Sequence, residues 1–249
     1  KASSAATYET AEEANAFLSQ NIGAAFAVSN LEKKPASKSP TAPFTTSTLQ
    51  QEASRKLGFS VSRTMSNAQR LYEAGHITYM RTDSVNLSKQ ALNEAREVIT
   101  NAYGPEYAQT RVFKTKNKGA QEAHEAIRPT KLASMRVDAA PDEQRLYELI
   151  WKRTVASQMS DAKLERSVIQ ISADKHDKKF TARGEVVTFE GFLKVYFEGK
   201  DEEEDAQEGL LPKVTQGEQL GAKTITATER FTRPPARYTE ASLVKRLEE

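Results

Sequence analysis

The spacing of apolar residues changes along the chain, and this change restricts the fold more than any other feature of the sequence. Between residues 45 and 160, apolar side chains recur every three or four positions, as in Leu92, Ala95 and Ile99, and this spacing predicts amphipathic helices. After about residue 164 apolar and polar residues alternate, which predicts strands. The predicted strands are residues 168–171, 180–189, 192–197 and 223–228.

The opening segment also contains strand-like alternation, around Phe26 and Val28, after a short helical pattern. Because strand patterns lie on both sides of the helical block, the economical arrangement is one β domain interrupted by a helical insertion of about 120 residues. The sequence therefore predicts a multidomain α+β fold. Its predicted parts are residues 1–40 and 164–230 for the discontinuous β domain, 41–163 for the helical domain, and 231–249 for the start of a further helical domain that continues past residue 249.

Capping residues and breakers predict where the helices begin and end. The predicted starts are Thr10, Ser47, Ser88 and Pro141, and the predicted closing glycines are Gly58, Gly75 and Gly104. Ser47 with Gln50 has the spacing of a capping box. Residues 33–43 are rich in Lys, Ser, Thr and Pro, which predicts an irregular linker between domains.

The composition excludes several classes of function. The chain has no cysteine, so disulfides and thiol catalysis are excluded, and a metal would need carboxylate or histidine ligands. The net charge of +2, from 36 basic and 34 acidic residues, is too balanced to indicate a nucleic-acid partner by itself. No apolar stretch approaches the roughly 18 residues of a membrane span and no export signal is visible, so a cytoplasmic location is expected. The acidic residues 201–205 are interpreted as a solvated loop.

Residues 75–84, Gly-His-Ile-Thr-Tyr-Met-Arg-Thr-Asp-Ser, are the most informative stretch. Tyr79 lies between the end of one predicted helix and the start of the next, two residues before Arg81. A phenol can attack a phosphodiester, and a guanidinium can neutralise the phosphate oxygens as charge develops, so this pair suits a transesterification. The spacing alone leaves open a role for Tyr79 in packing or hydrogen bonding.

Residues 77–84 resemble the active-site signature of bacterial type IA DNA topoisomerases, in which a tyrosine forms a covalent link to a DNA 5′-phosphate. In having methionine at position 80, the stretch resembles the topoisomerase I branch of this family, whereas the topoisomerase III branch usually has proline at this position. Three further stretches resemble family motifs in the family's order: residues 43–50 (Pro-Phe-Thr-Thr-Ser-Thr-Leu-Gln), 123–130 (Ala-His-Glu-Ala-Ile-Arg-Pro-Thr) and 233–240 (Arg-Pro-Pro-Ala-Arg-Tyr-Thr-Glu).

The resemblance implies roles for five residues. Tyr79 would be the nucleophile, and Arg81 would position the phosphate and stabilise the transition state. His124 resembles the histidine that contacts a DNA phosphate beside the tyrosine. Arg128 and Arg237 lie in motifs that imply contacts with the DNA backbone, although an inward-pairing structural role for Arg128 stays open.

The resemblance also implies an architecture and an activity. The β domain would belong to an arch that carries the helical domain and opens to pass a strand. The enzyme would act mainly on single-stranded DNA in the bacterial cytoplasm, at the nucleoid, relaxing negative supercoils without ATP or another nucleotide cofactor. Magnesium would be bound by a toprim domain, and no segment of this chain resembles one. The chain alone is therefore expected to hold no metal, and to bind single-stranded DNA without cleaving it.

Two other interpretations stay open. The chain could be a non-catalytic DNA-binding module that uses a helix-turn-helix-like region for duplex contacts and Tyr79 for stacking. It could also belong to a reverse gyrase, although nothing in it indicates a helicase. At the level of single residues, Glu73 and Glu125 could belong to a buried ion-pair network instead of contacting DNA.

Overall fold

The computed structural model describes residues 1–4, 6–113, 125–197, 214–232, 234 and 237–248. Its helices are α1 (Ala11–Gln20), α2 (Thr46–Leu57), α3 (Val61–Glu73), α4 (Lys89–Tyr103), α5 (Pro141–Ser157) and α6 (Glu240–Glu248). Its strands are β1 (Ser3–Ser4), β2 (Phe26–Lys38), β3 (Ala162–Ala173), β4 (His176–Phe189) and β5 (Gln219–Leu220). No helix within these ranges combines the length and apolar character needed to cross a membrane.

The strands form one sheet in the order β1-β4-β3-β2-β5. The strands β3 and β4 make an antiparallel hairpin whose register pairs Arg166 with Glu185 and Val168 with Arg183. The neighbour of β3 on its other side is β2, which precedes the helical block in the sequence. Strands from both sides of that block therefore share a sheet, and the predicted combination of helices and strands in one chain is confirmed.

Two compact units divide the described residues. The first lies within Lys1–Ser37, Lys163–Phe189 and Glu204–Pro235 and contains the sheet. The second lies within Lys38–Ala162, Glu190–Glu203 and Ala236–Glu249 and contains α2 to α6. The boundaries predicted at residues 40, 163 and 230 stay predictions about the domains of the enzyme.

In the first unit, the sheet buries a small apolar core. Val28, Ile169 and Ala182 pack together from three adjacent strands. Phe17 on α1 adds an aromatic contact to Phe180 on β4, with ring centroids 6.1 Å apart. The helix α1 thus covers part of the sheet with its buried aromatic residue.

In the second unit, α5 lies at the centre of the core, and most of its side chains are buried. The Tyr147 hydroxyl donates to the Ser134 carbonyl at 2.7 Å, and the Trp151 indole donates to the Leu132 carbonyl at 2.8 Å. Burial, helped by the nearby Glu94 carboxylate, raises the pKa of Tyr147 to about 12. These bonds fix the loop before α5 against the core, because each satisfies a buried polar group.

Several helix ends agree with the sequence. Thr10 and Ser88 cap α1 and α4 through their side chains, and Gly58 ends α2 with a φ of 68°. The predicted capping box at Ser47 and Gln50 is wrong, because the residues that exchange these bonds are Thr45 and Thr48. The cap of α2 therefore lies two residues before Ser47. Consequently Thr46 becomes its first residue.

The strand predicted at residues 192–197 is wrong. Gly191–Lys194 forms a short 3₁₀ turn instead, and the Phe192 amide bonds to the Ser160 carbonyl at 2.9 Å. Gly191 has a φ of 51°, and a Cβ there would lie 2.4 Å from the Ser160 carbonyl oxygen, so glycine is required for this turn. Phe192 and Tyr196 are buried in the core of the helical unit.

The linker predicted at residues 33–43 is also wrong in its first half, because β2 continues to Lys38. Lys33 forms an ion pair with Glu165 of β3 at 3.0 Å. The strand β5 covers β2 only at Phe26 and Ala27, so the outer edge at Pro35 has no described strand partner, and an edge strand tolerates proline. Conversely, the strand predicted at residues 223–228 is wrong, since these mostly exposed residues form no ladder with the rest of the described chain.

Candidate active site

Residues 77–84 lie between α3 and α4, and from Tyr79 to Ser84 exposed and buried side chains alternate. Ile77, Met80, Thr82 and Ser84 are buried. The side chains between the buried ones face solvent; these are Tyr79, Arg81 and Asp83. The buried side chains that flank the exposed ones anchor the segment in the core and leave the exposed row facing solvent. Tyr79 is 42% exposed, although the nearby Ile77 and Met80 are each 1% exposed.

The Thr46 hydroxyl attaches this segment to the start of α2. It donates to the Met80 carbonyl at 2.8 Å and accepts from the Thr82 amide at 2.9 Å. The Thr46 amide also donates to the Thr82 carbonyl at 2.9 Å. One side chain therefore satisfies backbone groups on both sides of Arg81, and the bonds fix the backbone of the exposed row.

The Thr78 hydroxyl attaches the same segment to residues 125–130. It donates to the Ala126 carbonyl at 2.7 Å and accepts from the Arg128 amide at 2.9 Å. The Thr78 amide donates to the Arg128 carbonyl at 2.9 Å, and Ile77 pairs with Pro129 in an antiparallel bridge. We call the hydroxyls of Thr46 and Thr78 the threonine clamp. It holds Tyr79 between two well-bonded residues.

Arg128 lies on the segment beside Tyr79 but turns inward. Its Nη2 donates to Glu125 at 2.7 Å, its Nη1 donates to the Pro129 carbonyl at 2.9 Å, and its side chain is 14% exposed. Glu125 also accepts the Ser88 amide at 2.6 Å. Burial opposes ionisation of Glu125, but the hydrogen bonds from Arg128 and Ser88 outweigh it and hold the pKa of this carboxyl below its usual value. The pair thus ties residues 125–130 to the N-cap of α4.

Tyr72, in the last turn of α3, contacts the Tyr79 ring. The ring centroids are 5.2 Å apart and the planes meet at 66°, which is an edge-to-face arrangement. Tyr72 is 40% exposed. Two aromatic rings therefore share the surface from which the Tyr79 hydroxyl would act.

The family comparison covers the whole chain: the model of the DNA topoisomerase family matches residues 1–249. The chain belongs to the bacterial type IA DNA topoisomerase family. It is 52% identical over 235 residues to DNA topoisomerase 1 of Streptomyces coelicolor and 50% identical over 243 residues to that of Mycobacterium tuberculosis. These alignments cover 90% and 91% of the chain but 25% and 26% of the relatives, so the chain spans about a quarter of their length.

A solved structure supports the same relationship. The full-length topoisomerase I of Thermotoga maritima matches this topoisomerase chain with a TM-score of 0.80 and 36% identity, over 97% of the chain and 40% of that protein. The fold described above is thus a topoisomerase I fold.

The structure brings together three of the four stretches that resemble type IA topoisomerase motifs: the start of α2, residues 77–84 and residues 125–130. Arg81 and Arg237 are exposed and form no hydrogen bond or ion pair with other described residues of this topoisomerase chain. His124 lies outside the described residues. The Glu240 carboxylate, three residues after Arg237, accepts the Val61 amide at 2.9 Å and so anchors α6 at the start of α3.

Three residues of the site were not predicted. Thr46 and Thr78 lie inside stretches that resemble family motifs. The sequence does not indicate what their hydroxyls bind, because the backbone groups that they contact are distant in sequence. Tyr72 carried a weaker signal. It lies on the helix before the Tyr79 segment, but nothing in the sequence indicated that its ring would reach Tyr79.

Proposed function

We propose that Tyr79 is the nucleophile with which a type IA topoisomerase cleaves one DNA strand, forming a 5′-phosphotyrosine ester. The observation that supports this most is the exposed ring of Tyr79 on a backbone bonded on both sides by the threonine clamp. A nucleophile must be accessible to DNA and held in place, because correct placement of reacting atoms supplies a large part of catalysis. Tyr79 meets both requirements.

Arg81 is proposed to bind the scissile phosphate. Arg81 follows Tyr79 by two residues and is exposed like it, so its long side chain is proposed to reach a phosphate held at the Tyr79 hydroxyl. Arg81 is exposed, and no described residue occupies its donors. Its fixed charge would stabilise the negative charge that develops on the phosphate oxygens during attack.

The remaining steps need groups beyond those described. A phenol with an ordinary pKa near 10 needs a proton acceptor, and the departing 3′ oxygen needs a donor. No three histidine, aspartate or glutamate side chains of the described residues are placed to hold a metal ion, so these residues do not fit a magnesium site. We propose that magnesium and the proton-transfer groups come from a toprim domain. The chain alone then binds single-stranded DNA but does not cleave it.

In the whole enzyme, the proposed phosphotyrosine ester conserves the energy of the broken phosphodiester bond, so rejoining needs no ATP. The sheet unit is proposed to belong to the arch, and the helical unit to carry Tyr79 as the arch opens. Strand passage through the break would relax negative supercoils. The mixed fold shared with a full-length topoisomerase I supports this arrangement.

Covalent trapping in the full-length enzyme tests the nucleophile. An end-labelled single strand, incubated with magnesium and denatured, should give a protein-linked band with the wild type and none with Tyr79→Phe. Binding of the same strand should change little, because the ring remains. An adduct in Tyr79→Phe would remove Tyr79 from the mechanism, and the absence of any adduct in the wild type would favour the non-catalytic module.

Salt titration of the 249-residue chain tests the mode of DNA binding. Affinity for a single strand should fall steeply as salt rises, since cations on the protein displace counterions from phosphates. Arg237→Ala should weaken binding equally for several sequences and reduce the slope by about 0.7, the value for one phosphate contact on a single strand. Arg166→Ala is a matched control, since Arg166 is paired with Glu185 in the sheet unit. Binding without salt dependence would contradict the proposal.

A further inference from the structure

Tyr72 differs in exposure and hydrogen bonding from Tyr147 and Tyr196, the two buried tyrosines in the core of the helical unit. Tyr147 and Tyr196 are almost fully buried, and their hydroxyls donate to Ser134 and Glu52 at 2.7 Å. Tyr72 is 40% exposed, and its hydroxyl has no hydrogen-bond partner among the described residues. Packing and hydrogen bonding therefore explain the buried tyrosines but leave the exposed ring of Tyr72 without a role in the fold.

The surface around Tyr72 suits an aromatic ligand better than a phosphate. The basic residue in the last turn of α3 is Arg70, which is bound to Glu143 and, at 2.6 Å, to the Asn67 amide oxygen. Glu73 follows Tyr72 and places a carboxylate, bonded to Gln69 at 2.6 Å, on the same turn. Arg70 is already bonded, and the Glu73 carboxylate repels a phosphate. The Tyr72 ring on this turn is therefore better suited to contact a neutral group.

The neutral group nearest to Tyr79 on a bound strand is a base. Under the proposed function, the scissile phosphate lies at the Tyr79 hydroxyl, and the nucleotides on either side of it carry the closest bases. Tyr72 contacts Tyr79 directly, with ring centroids 5.2 Å apart. An adjoining base that leaves the stack of the strand therefore lies close to the exposed Tyr72 ring, which offers it an aromatic surface beside the reacting tyrosine.

We infer that Tyr72 forms a nucleobase subsite, stacking on the base of a nucleotide that adjoins the scissile phosphate. This inference rests on the proposed role of Tyr79. Stacking on an aromatic side chain accepts any base, since every base has a π face. The subsite would hold the strand in register at the point of cleavage without selecting a sequence.

Binding of defined strands to the full-length enzyme in the Tyr79→Phe background tests the subsite without cleavage. The strand carries one mapped cleavage site, and each flanking nucleotide is replaced in turn by an abasic nucleotide. Tyr72→Ala should weaken binding of the intact strand about tenfold, the order expected for one stacked base. It should have no further effect when the stacked nucleotide is abasic. Tyr72→Phe should restore binding, because the ring is kept.

Phe197→Ala is the matched control. Phe197 is 64% exposed, and its carbonyl accepts a hydrogen bond from Lys56. Lys56 lies at the C-terminal end of α2, whereas Thr46 of the threonine clamp lies at its N-terminal end. Its loss should leave binding unchanged. An equal loss for Tyr72→Ala on the intact strand and on both abasic strands, or no loss on any strand, would overturn the subsite. Adduct formation by the wild-type enzyme, which has both Tyr72 and Tyr79, is measured in parallel. Absence of that adduct would show that Tyr79 is not the nucleophile, independently of the binding result for Tyr72.

Discussion

Residues 77–84 and residues 125–130 lie side by side in the candidate active site, bonded through Thr78, yet they present different chemistry to solvent. The first segment turns Arg81 outward with no described partner. The second turns Arg128 inward, against Glu125 and the Pro129 carbonyl. Both arginines occur in stretches that resemble topoisomerase motifs. Their surroundings differ: Arg81 has no described partner, whereas Arg128 is bonded within the site's own framework.

The difference shows what a buried ion pair does to an arginine. The Arg128 Nε has no described hydrogen-bond partner, but for the side chain to turn outward to a phosphate its Nη2 would have to leave Glu125, a carboxylate that also accepts the Ser88 amide. Breaking a partly buried pair is costly because the remaining group loses its compensation. Arg81 can bind a phosphate without giving up any described bond. We therefore expect Arg81 to act in DNA binding and cleavage and Arg128 to act in stability, and the following variants test that expectation.

The largest effect is expected for Arg81→Ala in the full-length enzyme. Removing one donor that stabilises charge in a transition state lowers the rate about 10²–10³-fold. The cleavage rate, measured from adduct formation in single turnovers, should fall by that amount. The thermal midpoint of unfolding should not change, since Arg81 is exposed. A lowered midpoint would instead place Arg81 in the framework and remove the distinction from Arg128.

Arg128→Ala is expected to act on stability first. Glu125 would lose the partner that compensates its partly buried charge, at a cost of about 2 kcal/mol. For a chain of this size, that corresponds to a drop of roughly 4–8 °C in the thermal midpoint. Arg96→Ala, an exposed arginine on α4, is the control and should leave the midpoint unchanged. If Arg128→Ala kept its midpoint but lost salt-dependent DNA binding, Arg128 would be a phosphate contact after all.

Local signals predicted much of the fold. Thr10, Ser88 and Gly58 act as expected because a cap depends only on a few neighbouring residues. Errors occurred where the deciding partner is distant in sequence. The stretch after Lys33 resembles a linker in composition, but pairing with β3 makes it a strand.

The candidate site shows the same limit. The alternation that exposes Tyr79 and Arg81 follows from the residue types, since apolar and small residues fill the other row. The inward turn of Arg128 does not follow, because it depends on Glu125 being held by the N-cap of α4. The role of Thr46 depends likewise on backbone groups more than thirty residues away.

Thr46→Val tests how much the clamp contributes on the side of α2. The variant keeps the shape but leaves the Met80 carbonyl without this donor and the Thr82 amide without this acceptor, at about 1 kcal/mol. In the 249-residue chain the thermal midpoint should fall by roughly 2–4 °C. In the full-length enzyme the cleavage rate should fall further than DNA affinity, since the proposed nucleophile loses its placement. Thr46→Ser should restore both quantities. Equal losses of rate and affinity would show that Thr46 only supports binding.

The smallest effect concerns the charge of Glu125 and appears as a dependence of stability on pH. The pKa of Glu125 in the folded chain lies below its usual value of 4.5. The ionised carboxylate therefore stabilises the fold above pH 4.5, and this contribution is lost as the pH falls through the lower, folded pKa. Glu125→Gln keeps an acceptor but cannot ionise. The midpoint of the wild type should exceed that of Glu125→Gln at neutral pH, and the gap should close as the solution is acidified.

Asp83→Asn provides the matched comparison for that titration, because Asp83 lies in the exposed row of the other segment and has no described hydrogen bond or ion pair. Its midpoint should follow that of the wild type at every pH. A gap for Glu125→Gln that stayed constant down to acid pH would mean that Glu125 stabilises the fold through hydrogen bonds that its neutral form also makes. The charge of Arg128 would then be free of Glu125 at little cost, and the inward arginine could reach a DNA phosphate as readily as the outward one.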